Sequence, residues 1–148
     1  YNIKKGGIIM YSALDVAKYI ISKCLSDRKP ISNLQLQKIL YYIQKEFLRL
    51  KQEAFNDDFE AWQFGPVIPD VYYNFCGFGA MPITVHYDVD ISECDKRIID
   101  PIVERKRVLN PWDLVNETHK PNGAWAYIYH NGLGDHAVIP KNIISERG

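Results

Sequence analysis

Residues 31–50 constrain the fold more than any other stretch of this chain. Ser32 and Gln35 stand in the capping-box relation, and Ile31 and Leu36 hold the two positions of a hydrophobic staple, so a helix is predicted over 33–50. At ~100° per residue, Leu36, Ile39, Leu40, Ile43, Phe47 and Leu50 make one broad apolar face, and Leu34, Tyr41 and Leu48 a second stripe roughly opposite. Gln37 and Gln44 run along one seam between them, and Lys38, Tyr42, Lys45 and Arg49 along the other. A surface helix carries one apolar face; a helix with two is central in its fold or half-covered by a partner. The expectation is a rod with more apolar surface than its own fold covers, on which something else docks.

Punctuation on either side gives the remaining elements. Ser12 and Asp15 start a first helix, with Leu14, Ala17, Ile21 and Leu25 on one face, and Pro30 ends it. Residues 59–64 are predicted to form a short strand, with Gly65-Pro66 as the turn after it and Pro69 opening a helix over 70–75. Gly77, Gly79 and Pro82 mark a loop, and the alternation over 83–89 predicts a further strand. Ser92 with Asp95, and Asn110-Pro111 with Asp113, open two more helices, the first kinked at Pro101. A short helix over 123–129, a strand at Val138-Ile139 and a turn from Pro140 complete a mainly α domain. Its β element has two or three strands.

The 148 residues fit one domain with a real core, placed at residues 10–148. Residues 1–9 are read as an extension outside the fold: Lys4-Lys5-Gly6-Gly7 ahead of Met10 has the spacing of a translated ribosome-binding site. A formal net charge of zero lacks the basic excess of a dedicated nucleic-acid binder, so nucleic acid is not the expected partner. The alternative, a DNA-binding transcriptional regulator built on a helix-turn-helix pair, would have to rest on Lys38, Lys45 and Arg49, which share their side with Tyr42 and Glu46. No apolar run spans a bilayer and no signal peptide is visible. Three scattered cysteines fit reduced thiols, so a cytoplasmic protein is expected.

Catalysis finds little support. His86, His119, His130 and His136 are dispersed, with neither an H-E-x-x-H helix nor a C-x-x-C pair, so no metal is expected. Ser12, Ser32 and Ser92 serve better as helix caps than as nucleophiles, and Gly77-Phe78-Gly79 matches no phosphate loop. Neither an enzyme nor a cofactor is expected. The positive signal is aromatic: 13% of the chain is Phe, Trp or Tyr, clustered at Tyr41-Tyr42, Trp62-Gln63-Phe64, Tyr72-Tyr73 and 125–129. Tyr and Trp are the usual anchors of interfaces, with an apolar body and a polar tip.

Residues 13–20, then Ile31-Ser32-Asn33-Leu34-Gln35-Leu36-Gln37-Lys38-Ile39-Leu40-Tyr41-Tyr42, followed by Phe59-Glu60-Ala61-Trp62-Gln63-Phe64-Gly65-Pro66-Val67-Ile68-Pro69-Asp70-Val71-Tyr72 and, more weakly, 114–119 with Trp125, resemble the Panacea domain family. That family is also described as SocA-like or GepA-like and phage-associated. The pattern departs at 43–47 and over the loop 77–92. The resemblance implies an antitoxin of a bacterial or prophage toxin–antitoxin system, bound to a cognate protein toxin. In the SocA-like branch it also implies an adaptor that presents the toxin to a AAA+ protease. The expected partner-binding residues are Gln37, Tyr41, Gln44 and Leu48 on the helix, with Trp62 and His119 near it. Leu34, Lys38, Tyr42, Glu60, Gly65, Pro66 and Trp125 are expected to be the motif's structural members.

Overall fold

A computed structural model describes residues 3–5 and 8–148, with side chains from Tyr11 onward. The chain runs β1 (Ile3–Lys5), β2 (Ile8–Met10), α1 (Ala13–Ser26), α2 (Asn33–Arg49), β3 (Phe59–Trp62), β4 (Gly65–Val67), α3 (Pro69–Phe75), α4 (Glu93–Lys106), α5 (Pro111–Thr118), α6 (Ala124–Tyr129), β5 (Val138–Ile139) and α7 (Lys141–Arg147). It is mainly α with a small antiparallel sheet of order β4-β3-β5, beside a separate β1–β2 pair. The expected extension, residues 1–9, includes Tyr1, Asn2, Gly6 and Gly7, which lie outside the described residues. Among the described residues no helix is long and apolar enough to cross a membrane.

The helix starts follow the punctuation. Ser12 Oγ accepts from Asp15 N at 3.1 Å, and Ser32 Oγ accepts from Gln35 N at 3.3 Å while Gln35 Oε1 accepts from Ser32 N at 3.0 Å. Ser92 and Asn110 cap α4 and α5 in the same way, and α4 continues through Pro101. Each such cap satisfies an N–H that the helix itself leaves without a partner. The buried face of α1 is rotated from the expected one: Ala13, Val16, Ala17, Ile20, Ile21 and Cys24 are inside, while Leu14 and Leu25 are half-buried.

Helix α2 is the axis of the molecule. It touches α1, α3, α4, α5, α7 and β4. Leu36, Ile39, Leu40, Ile43 and Phe47 are buried as predicted, and Leu50 is exposed just past the helix end. The second stripe is not an open face. Tyr41 at its centre is 4% exposed, and Leu34 and Leu48 at its two ends are half-buried. The two apolar sides therefore mark a helix enclosed by its own fold, and the expected surplus of apolar surface on α2 is absent.

Two strand assignments need correction. The predicted strand over 59–64 is a hairpin: β3 turns at Gln63-Phe64 and returns as β4, pairing Trp62 with Gly65 and Glu60 with Val67. Gly65 and Pro66 thus lie in β4 and are not the turn. Gly65 sits at φ +113°, which suits glycine, and Pro66 needs no N–H because β4 is an edge strand lying against α2. The predicted strand over 83–89 is instead an extended strap with no strand partner among the described residues. Ser22 Oγ on α1 stands in for one, donating to Tyr87 O at 3.0 Å and accepting from Tyr87 N at 2.7 Å.

Candidate partner-binding groove

The polar residues of α2 face inward and brace other segments. Gln44 is 0% exposed and clamps the loop after α2, donating to Phe55 O at 2.8 Å and accepting from Ala54 N at 2.8 Å. Gln37 is 1% exposed; it accepts from Ile68 N at 3.0 Å and donates to Asn33 Oδ1 at 3.0 Å, fixing the entry to α3. Tyr41 packs edge-on against Phe59, ring centroids 5.5 Å apart, and burial pushes its hydroxyl up to about 12. Gln44 and Tyr41 present no side chain that a partner reaches at this groove, and Gln37 shows only an edge. Leu48 is half-buried and packs against the core. Tyr42 lies at the surface, its hydroxyl donating to Glu117 at 2.9 Å and its ring beneath Lys106 Nζ at 4.0 Å.

Lys38 is the most unusual member of the motif. It is wholly buried, and its Nζ donates to Pro66 O at 3.1 Å. No ion pair is recorded for it among the described residues, and burial pushes its ammonium down to about 7. Gly65 makes room for it: a Cβ there would stand 2.8 Å from Lys38 Cε and 2.8 Å from Thr118 Oγ1. Next to it, His119 stacks on Trp125, centroids 3.6 Å apart and planes within 4°, and Tyr129 lies at 4.6 Å from Trp125. Trp125 Nε1 donates to Trp62 O at 2.7 Å, tying α6 to the hairpin. Burial, then the neighbouring Lys38 charge, lowers the His119 pKa, which favours the neutral imidazole. Its Nε2 is buried without a hydrogen-bond partner among the described residues.

The fold leaves open a groove of about 550 Å³ between the start of α2, the β3–β4 hairpin, α3 and α5. Leu34, Val67 and Gln37 lie along it, with Trp62 and Tyr72 half-buried at its side. Because neighbouring residues of a strand point to opposite faces, Glu60 and Trp62 share the groove side of β3 while Phe59 and Ala61 enter the core. Trp62 meets Tyr72 at 5.1 Å and the His136 imidazole at 4.6 Å, and donates its Nε1–H to Glu60 Oε1 at 2.9 Å. At the rim, Phe64 (45% exposed) packs edge-on against Trp112 (56%) at 5.3 Å, and Tyr73 (63%) lies 6.1 Å from Trp62. Exposed apolar rings gathered round one concavity are the usual mark of an interaction site.

Of the residues expected at a partner surface, the groove therefore includes Trp62 and the edge of Gln37, while Tyr41, Gln44, Leu48 and His119 lie elsewhere. Leu34 and Lys38, expected as structural, line it. Sequence reasoning missed Trp112 altogether. Its signal was a large aromatic placed beside the Asn110-Pro111 cap, away from the apolar face of α5 that buries Leu114 and Val115.

Residues 36–126 match the family model described as Antitoxin SocA-like, Panacea domain. The chain belongs to that family. Nearly all of α2, the hairpin, α3 and α5 fall within the Panacea match, so the Lys38 site and most of the groove are part of it. Over 65 residues the chain is 46% identical to the protein named Antitoxin SocA from Caulobacter vibrioides (strain NA1000 / CB15N). That stretch is 43% of this chain and 35% of the relative, so the chain spans about a third of the length of the curated protein it matches. No solved structure matches.

Proposed function

We propose that this Panacea domain is an antitoxin that neutralises a cognate protein toxin by binding it directly, with no cofactor, and that the toxin docks in the groove between the hairpin, α3 and α5. The family supports the toxin–antitoxin setting. The observation that carries the surface is that Phe64 and Trp112, both well exposed, line one concavity whose inner side is held by Gln37 and Trp62, with the exposed Tyr73 ring 6.1 Å from Trp62. Preformed aromatic anchors lose little side-chain entropy on binding, which is why they dominate interface energetics. Delivery of the toxin to a AAA+ protease is compatible with the same groove, and would show as a shorter toxin lifetime in its presence.

The test is co-expression with a cognate toxin, sought first in the adjacent reading frame. Phe64→Ser combined with Trp112→Ser is expected to abolish rescue of growth, since losing a true anchor weakens binding by about 2 kcal/mol or more. The same double variant should keep its unfolding free energy within about 1 kcal/mol, because both rings are largely solvated. Full rescue by the folded double variant would move the docking surface elsewhere.

A further inference from the structure

Four tyrosines outside the groove each have a cation near the ring: Lys96 at Tyr19, Lys106 at Tyr42, Lys18 at Tyr87 and Arg147 at Tyr127. At Tyr42 the arrangement is complete, with Lys106 Nζ 4.0 Å from the ring centroid and its charge answered by Glu117 at 2.8 Å. Among the described residues no cation–ring contact is recorded for Trp62, Phe64, Tyr72, Tyr73 or Trp112. Carboxylates are nevertheless in place beside them: Glu60 against the Trp62 indole N–H, and Asp135 lining the groove with its side chain 47% exposed. A hydrogen bond from the indole N–H to a carboxylate adds electron density to the ring and strengthens its negative face. The cation that also lines the groove, Lys38, is out of solvent and turned onto Pro66 O, so its ammonium is not presented at the surface.

We infer that the groove is built for a cationic side chain of the partner, an arginine presented on a toxin segment, with its guanidinium laid against the Trp62–Tyr73 rings and its charge answered by Asp135. Arginine fits better than lysine because a planar guanidinium both stacks on a ring and pairs with a carboxylate. Asp135 already points this way within the molecule: its Oδ1 lies 3.1 Å from His136 Nδ1, and that imidazole sits over Trp62. An incoming guanidinium would complete at the groove the cation–ring–carboxylate set that Lys106, Tyr42 and Glu117 form outside it. This inference rests on the docking reading above and adds the chemistry of what docks.

The experiment uses the whole chain and four capped, amidated tetrapeptides as probes, in which a central pair of arginines is replaced by lysines, leucines or glutamates. Binding is followed by quenching of tryptophan fluorescence, to which Trp62 and Trp112 report directly. The expected order is arginine, lysine, leucine, with no binding of the glutamate peptide, and arginine at least about fivefold tighter than leucine. Asp135→Asn and Tyr73→Leu, both at exposed side chains, should each weaken the arginine peptide about three- to tenfold while leaving near-ultraviolet circular dichroism intact. Leucine binding as tightly as arginine, no measurable binding of any probe, or arginine binding indifferent to both variants would overturn the assignment. Those results leave the docking reading to the growth assay: failure of the Phe64/Trp112 variant to rescue, together with no arginine preference, keeps the surface and removes only the cation.

Discussion

Lys38 shows how one residue's environment sets its chemistry. Wholly buried with a single backbone acceptor, it titrates near 7 in the folded chain, against 10.5 for an ordinary lysine. Below pH 7 both folded and unfolded chains carry the proton, and the cost of burying the charge is fully present. Between pH 7 and 10.5 the unfolded chain holds more protons than the folded one, so stability rises with pH across that window. Lys38→Met, of similar length and apolar, should be more stable than the parent at pH 6.5 and should lose most of this rise, as urea unfolding at pH 6.5 and 9.5 would report. Equal pH slopes for parent and variant would show that Lys38 does not titrate there. Gly65→Ala is the companion case: φ +113° and a Cβ 2.8 Å from Lys38 Cε combine strain with a clash, and a loss of about 2–3 kcal/mol in the same measurement is expected. The sequence displays a Lys and a Gly in a family motif; that one is buried against the other appears only when α2 meets the hairpin.

Elements were legible where their signals are local. Ser12, Ser32, Ser92 and Asn110 marked four helix starts, because a cap is satisfied within three residues of itself. The hairpin was not, since Gly-Pro reads locally as a turn, and only the pairing of Trp62 with Gly65 places it in a strand. The strap over 83–89 misled for a related reason: alternation reports one covered side, not a neighbouring strand, and Ser22 supplies the hydrogen bonds. Gln44 is the element-scale residue with the sharpest test, because it ties α2 to the loop at Ala54 and Phe55, both buried. Gln44→Leu strands two buried backbone groups and should cost about 2–4 kcal/mol. A loss below ~0.5 kcal/mol in equilibrium unfolding would mean that the clamp is replaced without penalty.

At the scale of the whole molecule, two apolar sides on α2 correctly announced a helix with coverage on opposite faces. They did not reveal what supplies the coverage. It is the chain itself, through α1, α3, α4, α5, α7 and β4, and Tyr41 in the middle of the supposed docking stripe is core. Aromatic clusters at Trp62-Gln63-Phe64 and Tyr72-Tyr73 did flag the region that stays open. Their convergence with Trp112, some fifty residues further along, depends on how the hairpin and α5 lie against α2, and no local pattern encodes that. Family likeness and geometry meet here, since the Panacea match spans the segments that build the groove.

Hydrogen–deuterium exchange on this chain alone and in complex with the toxin proposed as its partner locates the interface without any substitution. The account predicts new protection over residues 62–65, 72–79 and 111–113, the backbone around the groove. Protection confined to 45–50 and the neighbouring end of α4, with the groove segments unchanged, would contradict it.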